Sequence, residues 1–132
     1  MMYIGHFSFD EISENSERHH GYFTCMVDTD NVDLAVELFQ SLIKKMKVEN
    51  SSFADIAEVY VEDIFEIRKV PKTATILRMQ SSAGEFPKSV SRTLPFVENE
   101  EITAYGWAPD VRKIQAAEKD KVLEMEPFLS FT

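Results

Sequence analysis

Three histidines (His6, His19, His20), one cysteine (Cys25) and 23 acidic side chains are the groups in this 132-residue chain whose types can do chemistry. Imidazole, thiolate and carboxylate ligands together suit zinc or iron. The spacing is less favourable, because His19 and His20 are neighbours and adjacent strand residues point to opposite faces. If residues 3–9 and 20–27 pair as a hairpin, His6 falls opposite Tyr22 or Phe23. The Tyr22 register sets His20 on the face of His6, about 7 Å along the strand, and the Phe23 register sets it on the other. A histidine site is thus open in one register only, and the alternative function is a small-molecule or metal-dependent enzyme using His6, His20 and nearby acids or the 85–96 loop. Cys25 lies in the apolar run GYFTCMV and reads as a buried structural thiol.

The acids invite two further readings. Residues 26–39, MVDTDNVDLAVELF, carry Asp28, Asp30, Asn31 and Asp33 close together. An EF-hand loop starting at Asp28 fails at the fifth, sixth and twelfth positions, where Val32, Asp33 and Phe39 stand. A helix start explains the same residues, with Asp30 as N-cap and Asp33 at N3 meeting the positive end of the dipole. Glu62, Asp63 and Glu66 could divide acid and base roles, but Glu62 and Glu66 share a strand face only if no bulge intervenes. A solvated, charge-protected edge is the plainer expectation for them.

The segment FPKSVSRTLPF supplies the main basic-polar patch of the chain. Lys88, Ser89, Ser91 and Arg92, with Thr93, could grip a phosphate or carboxylate, since arginine offers a fork and hydroxyls add donors. It lacks the glycine pattern of a phosphate loop, and no GxSxG or dinucleotide fingerprint occurs anywhere, so no cofactor is expected. The formal charge of −9 argues against nucleic acid as a partner and suits a basic protein. A single cysteine excludes an internal disulfide, the start of the chain lacks a signal-peptide pattern, and no run is long enough to span a membrane. These point to a soluble, cytoplasmic domain.

The elements that must position these groups follow from periodicity. Residues 3–9 alternate as a strand, 10–19 read as a polar loop, and 21–27 read as a central strand. Val32, Ala35, Val36, Phe39, Leu42, Ile43 and Met46 form one helical face over 32–48. Residues 53–68 satisfy both a helical stripe and strand propensity; a strand over 58–69, bent near Glu62 and Asp63, is preferred. Residues 74–80 then return as its hairpin partner after a turn at 70–73. Residues 81–100 read as a long loop, 102–108 as a last strand, and 110–125 as a thinly apolar, charged helix before the tail PFLSFT.

The expected fold is α+β: an antiparallel sheet of about five strands, one main amphipathic helix on one face, and a charged C-terminal helix. Residues 1–108 form the single domain, and 109–132 a peripheral helix and apolar tail. One amphipathic helix covers one sheet face, so a second copy of the chain is expected over the other, giving a homodimer in which the tail could also dock. The function that fits best is a non-enzymatic, partner-binding or self-associating acidic domain, with an inhibitor- or immunity-like role as a special case.

Overall fold

The computed structural model describes residues 1–83, 90–95, 101–106, 112–113 and 127–132, the side chains of 80–83, 90–95, 112 and 113 apart. Strands β1 (Met2–Ile12) and β2 (Arg18–Asp28) form a long hairpin that opens at Ser13–Glu17. Ser16 takes φ 60° there, and the Ser16 amide donates to the Ser13 carbonyl at 2.9 Å. The expected loop over 10–19 is therefore shorter than its polarity suggested. Both strands continue into it because residues 10–12 and 18–20 pair with each other.

Helix α1 (Val32–Glu49) follows, then a 3-10 turn (Ser51–Phe53) and β3 (Ile56–Ile67), which pairs antiparallel with β1. The helix begins at Val32, as the expected span 32–48 has it, but its cap comes one residue later than expected. Asn31, not Asp30, is its N-cap, and the Asn31 side chain accepts from the Leu34 amide at 2.9 Å. The extended backbone of Asn31 lets its own side chain reach that amide, so Asp33 falls in the first turn as a dipole partner instead of a capping-box acid.

The outer edge of β3 is shared. Strand β6 (Ile102–Gly106) takes residues 64–67, and β8 (Leu129–Ser130) takes Glu58 and Val59. The main sheet thus runs β2-β1-β3-β6-β7, with β7 being Arg112–Lys113 and β8 on the same edge of β3 as β6. Residues 74–80 are not the hairpin partner of β3, because both of its edges are taken. Instead β4 (Arg78–Ala83) pairs with β5 (Val90–Pro95) in a separate two-stranded sheet. The stretch 81–100 is accordingly not all loop: 81–83 and 90–95 are strand. Of the expected helix over 110–125, Arg112 and Lys113 are extended and pair with Gly106 and Tyr105; the rest of that expectation lies outside the described residues.

Alternation sends Tyr3, Gly5, Phe7 and Phe9 of β1 toward α1, which answers with Ala35, Val36, Phe39 and Ile43. Phe7 is the hub, with ring centroids 5.2 Å from Phe23, 5.6 Å from Phe39 and 5.6 Å from Phe128. Each such ring contributes roughly 1.5–3 kcal/mol by leaving water. Gly5 leaves room for them: a Cβ there would stand 2.6 Å from Phe7 and 3.0 Å from Phe39. The tail docks on its own chain. Phe128 is buried in this core, and its amide donates to the Val59 carbonyl at 2.7 Å. No helix among the described residues is long and apolar enough to cross a membrane.

Candidate functional site

The face of the sheet turned away from α1 holds an apolar half and a polar half. Phe65, Ile67 and Ile102 are buried there, with Met2, Ile4, Ala104 and Leu77 packed against them. The expectation that a second copy must cover this whole face is weakened, because Leu77, from the segment after β3, helps to cover it within one chain.

Beside that cluster, β1 and β3 fall out of step. His6 faces Asp63, but Phe7 faces Val61, so Glu62 is an extra residue in β3. The irregularity sets Glu62 and Asp63 together beside Arg78, the first residue of β4. Arg78 Nε donates to Asp63 Oδ2 at 2.7 Å, and Arg78 Nη2 lies 3.9 Å from Glu62 Oε2. Asp63 is 0% exposed, and its Oδ1 has no hydrogen-bond partner. Burial pushes the Asp63 carboxyl up from its ordinary range, and the Arg78 guanidinium opposes that shift.

His6 sits next along this face. Its Nδ1 is 2.8 Å from Thr24 Oγ1, and its ring stacks on Tyr22 at 5.8 Å with planes 4° apart. Burial first, and the Arg78 charge second, push the imidazole below its usual range, so the neutral form prevails at neutral pH. Tyr22 also receives the edge of His20 at 5.4 Å, and His20 Nδ1 lies 3.3 Å from Asp10 Oδ1. The row therefore offers a neutral imidazole and an arginine-bridged pair of acids.

The fold takes the expected ligand sets apart. His6 pairs with Thr24 and neither Tyr22 nor Phe23, so His20 shares its face but stands four residues away, about 13 Å of strand. The Tyr22 ring contacts both imidazoles, so His6 and His20 cannot bind one ion together. Glu62 and Glu66 are separated by the irregularity. Glu66 faces the helix side and accepts from Tyr105 Oη at 2.8 Å, while burial, then this bond, pushes that phenol up to about 12. Arg68 completes this second network, 3.6 Å from Glu66 and donating to Thr103 Oγ1 at 2.9 Å.

Cys25 is half-buried on the helix side, and burial pushes its thiol up to about 11, which suits a structural role. Lys88 and Ser89 of the expected anion site lie outside the described residues, while Ser91 and Arg92 lie in β5 opposite Ser82 and Ser81. No group of three or more His, Cys, Asp or Glu side chains among the described residues is placed to hold a metal ion.

A second feature was not anticipated from sequence. Strand β2 ends the sheet, and among the described residues its outer edge has no strand beside it. Its stretch between His20 and Asp28 contains no charged residue, proline or lysine, the usual devices that protect an edge. At its far end a groove of about 520 Å3 is lined by Met1, Met2, Met26, Ile67 and Val70, together with Asp28, Arg68 and Lys69. Met26 is 66% exposed. Residues 21–27 were expected as a central strand because they are apolar on both faces, but the sheet order makes β2 an edge. Comparisons with protein-family models, with curated proteins and with solved structures return no match to this chain.

Proposed function

We propose that this domain is a non-enzymatic protein-binding module that engages its partner through the β2 side of the sheet. The unprotected outer edge of β2 carries the reading: eleven residues of extended backbone whose outward amides and carbonyls have no strand beside them among the described residues. Such an edge pairs readily with another chain, main-chain hydrogen bonds supplying affinity and alternate side chains supplying specificity. The adjoining methionine-lined groove offers a place for an apolar side chain, since flexible thioethers adapt to what they bind. The net charge of −9 favours basic surface on any partner other than the chain itself.

Position-specific photo-crosslinking tests this. A photoreactive residue at Met26 or Tyr22, both exposed on the β2 side, should give a discrete adduct in cells, whereas one at Val48, exposed on α1, should not. Equal labelling at all three positions, or none at Met26 and Tyr22, would overturn the reading.

A further inference from the structure

Resting on that reading of the edge, we infer that the partner strand is the β2 of a second copy of this chain, antiparallel and centred on Phe23. The two ends of β2 carry opposite charge, Arg18 at the start and Asp28 at the finish, where the Asp28 carboxylate lies 3.1 Å from its own Met1 ammonium but stays 87% exposed to a second cation. A two-fold axis perpendicular to an antiparallel ladder must pass between identical residues, and the residue midway between Arg18 and Asp28 is Phe23. This one register sets Arg18 opposite the partner's Asp28 at both ends of the seam. Between them His20 faces the partner's Met26, Gly21 faces the partner's Cys25, and Tyr22 faces the partner's Thr24. No like charges meet, and the central pair is aromatic, a favourable cross-strand pairing. Sliding the register by two residues one way sets Arg18 opposite the partner's Met26 and Asp28 opposite the partner's Ser16; the other way sets Asp28 opposite the partner's His20 and Arg18 opposite the partner's Asp30, beyond the end of the strand.

The side chains agree with this placement. Phe23, Cys25 and Val27 are half-buried on the helix side, packed against the core but incompletely covered. A joined sheet places both α1 helices on the same side, each with the exposed leucines Leu34, Leu38 and Leu42 at intervals of four. The −9 of each copy opposes association, but at physiological salt the Debye length of about 8 Å confines that repulsion to groups near the seam, where the signs are complementary.

The test is a charge exchange read by analytical ultracentrifugation across micromolar to submillimolar protein. Wild type should reach twice the chain mass. Arg18→Glu alone and Asp28→Lys alone each put two like-charged pairs on the seam and should raise the dimer Kd about tenfold. The double variant restores opposite charges at both ends and should return Kd to within about threefold of wild type. Both residues are exposed, so far-ultraviolet circular dichroism should show all four proteins folded. A single-chain mass throughout the range would overturn the second copy, and a Met26 crosslink to a different protein would then leave the binding reading standing. A dimer indifferent to both single changes, or weakened by them and not restored by the pair, would overturn the register.

Discussion

The two faces of the sheet are stabilised in different ways. On the α1 side, Tyr3, Phe7, Phe39, Ile43, Val59 and Ile64 fill one continuous core in which shape decides stability. On the other side, a small apolar cluster lies against a charged one, and Asp63 is buried with a single arginine contact and one oxygen unpartnered. The first face answers chiefly to volume, with the Glu66, Tyr105 and Arg68 network beside its apolar core. The second answers also to charge, since replacing a buried ion pair by apolar groups is often neutral while removing one partner is not.

The sharpest break of this contrast is Phe39→Ala, which removes a ring packed edge-on against Phe7. It should cost about 3–5 kcal/mol in urea unfolding at any pH where the protein folds. Next, Arg78→Met leaves the Asp63 carboxylate buried without its cation and should cost about 2–4 kcal/mol at neutral pH. That loss should shrink in acid, because a protonated Asp63 no longer needs the guanidinium. The triple variant Glu62→Gln, Asp63→Leu, Arg78→Met, which removes both carboxylates with the cation, should recover most of it; a triple as unstable as the single would show that shape governs this face too.

The smallest effect is the pH dependence of His6. Its folded pKa lies below the usual 6.5, so the unfolded chain binds the proton more readily. The stability held with the imidazole neutral is therefore full above about 6.5 and declines as pH falls toward the folded value. Wild type should lose more Tm than His6→Gln on acidification through that window, measured by scanning calorimetry. Parallel profiles for the two proteins would mean that His6 has the same pKa folded and unfolded.

The helix over 32–48 was legible because its period of 3.6 survives in Ala35, Val36, Phe39 and Ile43. The sheet was half legible. Residues 53–68 looked helical for a physical reason: Ile56, Val61 and Ile64 of the expected stripe do face α1, and the spacings of three between Ile56 and Val59 and between Val61 and Ile64 break the strict alternation of a strand. Those spacings arise where β3 carries an extra residue against β1, which no single-strand pattern announces. The polar cluster was hidden more deeply. Glu62 and Asp63 were suspected, yet Arg78 comes from a segment expected to pair with β3, and only the fold brings its guanidinium between them. The same holds for the histidines, because the short turn at Ser13–Glu17 sets a register that pairs His6 with Thr24.

Those extra residues in β3 also act as keys. A regular ladder can slide by two residues and keep every side chain on its proper face. The pairing of β3 with β1 shifts between His6 and Phe7 and again between Asp10 and Glu11, so any slide would have to carry both misfits along together. That seam fits in one position only. The pairing of β1 with β2 has no such teeth over its eleven matched pairs. The sheet therefore joins a keyed seam to a smooth one, and the smooth strand is the one left at the rim.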